Sequence, residues 1–198
     1  MSIVNRSRSP GVTLHVFLIL ILSATFLNVH PKLFSRSCAN PTAAKAIIQS
    51  NVGTAGTISG TVKLYATQGG KTTIHIKVTG LPPGPHPYHI HVGSVGGAGG
   101  KPNCNAAGGL FNPNRLPDTA KCNPARLKQT CQIGDLASIF GPVQGGAITD
   151  IRVVHPSLEL IQAIGKSIVF HNPDAQLTRI ACGDIRAIDV VNGREQNC

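Results

Sequence analysis

Two stretches between Thr57 and Val78 alternate in polarity with a period of two. Thr57-Ile58-Ser59-Gly60-Thr61-Val62-Lys63-Leu64-Tyr65-Ala66 sets Ile58, Val62 and Leu64 on one parity, and Thr73-Ile74-His75-Ile76-Lys77-Val78 sets Ile74, Ile76 and Val78 on one parity. Side chains point alternately to opposite faces of a strand, so each run reads as a strand with one buried and one wet face. The turn Gln68-Gly69-Gly70-Lys71 between them makes the pair a hairpin. Further short apolar or alternating runs fall at residues 46–49, 88–91, 133–139, 147–154, 167–171 and 179–188. Helical periodicity is scarce, Gly counts 22, Pro 14 and Trp is absent. These features predict an all-β domain of about eight antiparallel strands, a Greek-key sandwich or flattened barrel. Residues 92–131, rich in Gly, Pro and Asn, form a loop long enough to need a function or a staple.

The N-terminus reads as a secretory signal. Arg6 and Arg8 precede an apolar core running from Val16 to Leu27, and Ser37-Cys38-Ala39 offers small residues for cleavage. Residues 1–39 are therefore expected to be a signal peptide and 40–198 the mature domain. The alternative is an uncleaved anchor at the cell surface through residues 12–27. After cleavage no stable membrane span is expected. The net charge of +10 falls to +6 without the leader, because 14 basic and 8 acidic residues remain. They are scattered, with no basic stripe and interleaved aromatics, which argues against nucleic acid.

The histidines carry the chemistry. In Tyr88-His89-Ile90-His91 the two imidazoles stand one residue apart on a strand, so both face one side. A second apolar strand ends in Val169-Phe170-His171. Three imidazoles converging from two strands suit copper or zinc.

Six elements in order resemble the copper/zinc superoxide dismutases: Gly-Pro-His86-Pro-Tyr-His89-Ile-His91, Cys104, Gly109-Leu110-Phe111-Asn112-Pro113, Ile133-Gly134-Asp135-Leu136, Val169-Phe170-His171 and Arg179-Ile180-Ala181-Cys182-Gly183. The resemblance covers about residues 46–190. It implies a superoxide dismutase-like fold, with His89, His91 and His171 as ligands of one copper ion. It implies Arg179 as the arginine that draws the superoxide anion and a Cys104–Cys182 disulfide tying the long loop to the last strand. His86 matches a structural histidine, and Gly183 a glycine beside the ligands.

The departures are as specific. Where the family has a histidine bridging copper and zinc, this chain has Leu110. No histidine lies between Leu110 and Asp135, and Gln132 takes one of the places expected for a zinc ligand. Asp135 alone cannot make a tetrahedral zinc site, so no zinc is expected. His171 and Arg179 are joined by only seven residues, Asn172 to Thr178, where the family has a long charged loop. That pattern is closest to the copper-only, extracellular superoxide dismutases of fungi and oomycetes, which also lack zinc. Those generally keep the bridging-position histidine, which this chain lacks.

In an oxidising compartment Cys122 and Cys131 are expected to bond to each other and staple the loop in place of zinc. Cys38 and Cys198 can pair only if cleavage falls before Cys38; cleavage after Ala39 leaves Cys198 without that partner. Two functions compete. One is secreted, copper-dependent dismutation of superoxide to oxygen and hydrogen peroxide. The other is a copper carrier or buffer, or an inactive module of the same fold. Leu110 is the residue that separates them. The oligomeric state is not readable from these residues.

Overall fold

The structure, a computed structural model, describes residues 40–96, 100–191 and 194–198. The expected leader, Cys38 and the 12–27 segment lie outside the described residues. Eleven strands are present among them: β1 (Ala43–Ser50), β2 (Ser59–Thr67), β3 (Lys71–Thr79), β4 (Gly84–His86), β5 (Tyr88–His91), β6 (Val143–Gly145), β7 (Ile148–His155), β8 (Ser167–His171), β9 (Arg179–Asp184), β10 (Arg186–Val191) and β11 (Arg194–Asn197). One antiparallel sheet runs β5-β8-β9-β1-β2-β3-β7, with β10 also pairing β1 and β11 pairing β10. The short β4–β6 ladder joins the chain beside β5 to the chain beside β7. It therefore links the two ends of the curled sheet, and the expected all-β sandwich or flattened barrel is the observed fold.

The hairpin around Gln68–Lys71 forms in the predicted register, with Val62 opposite Ile76 and Leu64 opposite Ile74. These four side chains are fully buried with Ile48 and Val78 in the main core. On β5 and β8 the alternation divides the two faces. Tyr88, Ile90, Ile168 and Phe170 enter the core, and the Tyr88 and Phe170 rings stack with centroids 6.1 Å apart. His89, His91, Val169 and His171 take the opposite face. There Val169 packs with Val95, Cys104, Ala107 and Cys182 in a second, smaller cluster.

The strand count exceeds eight for local reasons. The run 179–188 divides into β9 and β10 because Ile185 turns aside: its N–H donates to Lys166 O and its carbonyl accepts from Gly165 N, while its side chain is fully buried. The expected strand at 133–139 is a correction. Three short α-helices lie in the connections, α1 (Leu127–Thr130), α2 (Leu136–Phe140) and α3 (Leu160–Ala163), and α2 occupies this run. Asp135 caps it by accepting from Ser138 N at 3.0 Å, and Leu136 and Ile139, three apart, face the interior. An apolar pair at i and i+3 preceded by an N-cap aspartate is a helix signal, which the short apolar run obscures.

Candidate metal centre

His89 and His91 reach one side of β5, and the β5–β8 register sets His89 opposite Val169. A register irregularity between Phe170 and His171 turns the last residue of β8 toward them. One ring nitrogen from each of His89, His91 and His171 lies within 4.8 Å of the others. All three residues are largely buried. His89 Nδ1 stands 3.1 Å from His171 Nε2.

The outer nitrogens are each held by an oxygen. His91 Nδ1–H donates to Gly108 O at 3.0 Å, and His171 Nδ1–H donates to Leu177 O at 2.6 Å. His89 Nε2 lies 3.4 Å from Asp135 Oδ1. Donation outward assigns the lone pairs inward, on His89 Nδ1, His91 Nε2 and His171 Nε2. Burial pushes His91 and His171 down to about 4, and the other charges around them add to that; carbonyl bonds from Gly108 and Leu177 oppose it. Both rings are therefore neutral at pH 7, the form that ligates metal.

The residues fit a metal ion. His91 Nε2 is buried and has no hydrogen-bond partner among the described residues, a costly condition unless something else fills its lone pair. His89 Nδ1 and His171 Nε2, 3.1 Å apart, share a proton in the metal-free protein or, both unprotonated, turn two lone pairs toward one cation. Three imidazoles with carboxylate and carbonyl partners behind them are the usual ligand and support arrangement for copper or zinc.

Asp135 is the residue whose role differs most from expectation. Here its carboxylate orients His89. Burial alone would raise its carboxyl, but hydrogen bonds from His89 and Ser138 outweigh that and hold it below the usual carboxylate value. Gly134 puts it there: Ile90 N donates to Gly134 O, and Gly134 N donates to Phe111 O. A Cβ at Gly134 would lie 2.5 Å from Ile90 O and 2.7 Å from Phe111 O, so only glycine permits this approach to β5. Gly134, the carbonyls of Gly108 and Leu177, and the Asp135–His89 contact are site components that side-chain reasoning on the sequence missed. A glycine directly before an N-cap aspartate was the available signal.

Arg179 lies beside the cluster. Its Nη1 donates to Cys104 O at 2.9 Å and Asn105 O at 3.2 Å, and its Nη2 donates to Gly108 O at 2.6 Å. Nη2 is 3.4 Å from His91 Nδ1. The cation is thus fixed by carbonyls and carries no carboxylate partner among the described residues. Cys104 and Cys182 are joined by a disulfide, as are Cys122 and Cys131. Cys198 is also disulfide-bonded. His86 spans His171 O at 2.9 Å and Pro82 O at 2.8 Å, so both its nitrogens are occupied away from the cluster. His75 sits on the outer face of β3 beside Asp150, and His155 is buried on Ile133 O.

Leu110 lies next to His91 through an isolated bridge. Its side chain helps line a cavity of ≈ 580 Å³ that reaches His89 and Asp135. Gln132 Nε2 donates to Asp118 Oδ1 at 3.1 Å on the cavity wall. Among the described residues the three histidines are the one group that brings three such donors together.

The family model for copper/zinc superoxide dismutase matches residues 58–185. Cell surface superoxide dismutase (Cu-Zn) 6 of Candida albicans is 34% identical over 177 residues, 86% of this chain and 52% of that protein. Extracellular superoxide dismutase (Cu-Zn) of Caenorhabditis elegans is 30% identical over 128 residues, 57% of this chain and 54% of that protein. The chain spans about half the length of these relatives. The solved structure of Candida albicans superoxide dismutase 5 with Cu(II) superposes with a TM-score of 0.60 at 25% identity, over 78% of this chain and 97% of that one.

Proposed function

The chain belongs to the copper/zinc superoxide dismutase family, and on that premise we propose that it is a secreted, copper-only superoxide dismutase. An N-terminal signal is removed and residues 40–198 form the working domain. His89, His91 and His171 hold one copper ion, and no zinc is bound. The observation that carries this reading is the orphaned His91 Nε2, turned with two other lone-pair nitrogens toward one point. The cell-surface and extracellular location of the relatives and the disulfides support secretion.

Copper supplies a one-electron couple: one superoxide gives up its electron and leaves as dioxygen, and a second takes that electron with two protons and leaves as hydrogen peroxide. The protein supplies binding, orientation and charge. Asp135, Gly108 and Leu177 fix the three rings and their tautomers. Arg179, already tied down by three carbonyls, presents a positive charge that costs no reorganisation when the anion arrives. Leu110 can carry no proton, so protons enter from water through the cavity beside it. With copper bound, three imidazoles without a fourth would favour the reduced ion and slow its reoxidation. Among the described residues zinc has no set of donors: Leu110 and Gln132 stand where the family has histidines, Asp118 is taken by Gln132, and Asp135 is taken by His89.

The test is metal content and superoxide removal by the secreted protein. About one copper per chain, no zinc and fast removal are expected, with both copper and activity lost in His171→Ala. Copper bound without turnover would replace dismutation with a copper-holding role, and absence of copper would leave only a structural one.

A further inference from the structure

The connection from β8 to β9 holds a backbone outlier. Leu177 adopts a φ of 48°, and Arg115 is the only other non-glycine residue with positive φ among the described residues. A branched side chain is disfavoured in this left-handed region, because its Cβ crowds the following carbonyl oxygen. Leu177 is also 40% exposed, so burial returns little of that cost. Neither backbone preference nor the core accounts for a leucine here. A residue kept against both marks a functional site more often than a structural one.

The connection clamps this conformation. Leu177 N donates to Asp174 O at 3.0 Å and Asn172 N to Thr178 O at 2.8 Å, while Thr178 N donates to Asp174 Oδ1 at 2.8 Å. So held, Leu177 O accepts from His171 Nδ1 at 2.6 Å. Any residue type supplies that carbonyl, and glycine would supply it without the crowding. The leucine side chain therefore needs a reason of its own. It lines the ≈ 580 Å³ cavity together with Pro87, His89 and Leu110. His89 is the one member of the histidine cluster that this cavity reaches. Leu177 thus touches the cluster through its main chain and the cavity through its side chain.

We propose that Leu177 is a selectivity gate on the His89 flank of the centre: its side chain, with Leu110 and Pro87, passes water and holds larger molecules away from His89 and the ion beside it. The inference rests on the metal-binding part of the proposed function. The cavity falls within the roughly 300–1,000 Å³ of small-molecule sites, so without a gate an organic molecule has room to reach a ligand of the ion. The lining carries Asp118 and Asp135 and no cation, so it offers nothing to an anion. What the gate turns away is neutral or cationic: nitrogen chelators and amines. The clamped backbone keeps the leucine from swinging clear.

The experiment uses the secreted protein, metal-free and copper-loaded, with Leu177→Gly, Leu177→Ala and Leu177→Phe. Val154→Ala is the control, because it removes an apolar side chain, 51% exposed, from β7 outside the cavity lining. In the metal-free protein the rate at which diethyl pyrocarbonate modifies His89 is read by mass spectrometry. In the copper-loaded protein the readings are the rate of copper removal by phenanthroline and the dissociation constant of azide, a small linear anion. Modification and removal are expected to quicken about tenfold in Leu177→Gly and Leu177→Ala and to slow about threefold in Leu177→Phe. Azide is expected to move by a smaller factor than phenanthroline in each. Rates unchanged in the two truncated variants, or raised equally by Val154→Ala, overturn the proposal. So does a gain in Leu177→Gly that Leu177→Ala lacks, which assigns the effect to a looser backbone, and so does azide moving as far as phenanthroline. If the parent holds no copper, the metal reading fails and the His89 modification series alone decides the gate. If the truncated variants do not fold, Leu177→Phe decides by its opposite sign.

Discussion

The loop before Leu110 and the loop after it both pack against β5, yet they are built from different materials. Residues 92–108 meet the sheet through Cys104–Cys182, a bond spanning 78 residues. They add a buried cluster of Val95, Cys104, Ala107, Val169 and Cys182, and carbonyls that hold Arg179 and His91. Residues 110–135 are fastened by a disulfide spanning 9 residues, a glutamine–aspartate bond, and the backbone of Gly134 on Ile90 and Phe111. The first loop is pinned to a distant part of the chain; the second is pinned mainly to itself. The second loop holds no histidine between Leu110 and Asp135; its closure is the local Cys122–Cys131 bond, and its Asp135 faces His89.

The largest effect that could break this contrast is on the long disulfide. Closing a loop of this length removes about 4.5 kcal/mol of unfolded-state entropy. Cys104→Ser/Cys182→Ser should lose about that much stability in urea. An equal loss from Cys122→Ser/Cys131→Ser would erase the distinction between the loops.

Next is pH. His155 is fully buried, accepts at Nδ1 from the N–H groups of Ser157 and Leu158, and donates from Nε2 to Ile133 O at 3.1 Å. It thereby fastens the second loop to β7. Burial pushes it from 6.5 down to about 4. Between those values the unfolded chain binds a proton that the folded chain refuses. Its contribution is complete above about pH 6.5 and is lost as pH falls through about 4, roughly 3 kcal/mol in all. His91 and His171 tilt the metal-free protein the same way, so the readout is the difference in slope between the parent and His155→Gln in urea unfolding from pH 7.5 to about pH 4.5. Identical slopes would remove His155 from the account.

The short disulfide follows, at about 2.6 kcal/mol. Because its loop lines the cavity on the outer side of His89, Cys122→Ser/Cys131→Ser should leave copper content intact. A loss of copper instead would mean that the second loop holds the ligands as firmly as the first. The smallest effect is expected at Leu110. Leu110→His should raise turnover about fivefold, about 1 kcal/mol of barrier. Unchanged turnover at equal copper content would show that proton supply through water suffices.

Much of this was legible in the sequence, because alternation is a local property. The hairpin around Gln68–Lys71 and the shared face of His89 and His91 follow from counting parity along a strand. The convergence of His171 on that face needed the register of β8, for which its apolar run and terminal histidine were a fair guide. The rest depended on contacts no pattern encodes. Residues 133–139 are short and apolar, and their helical state is decided by the Asp135 cap and by Gly134 lying on β5. Asp135 could be spotted as a surviving carboxylate, but its partner could not, since the approach to His89 is made by backbone. The same holds for Arg179, whose anchors are three main-chain carbonyls with no side-chain signature.

The carbonyls of residues 104–108 also couple a covalent bond to the geometry of the site. They steady Arg179 and the outer nitrogen of His91, and the turn that presents them is attached to the sheet by Cys104–Cys182. Without that bond the turn keeps its hydrogen bonds, Gly93 N to Ala107 O and Cys104 N to Asn51 Oδ1 among them, but loses its covalent tie to β9. The disulfide thus bears on the orientation of a histidine and an arginine as well as on the stability of the fold.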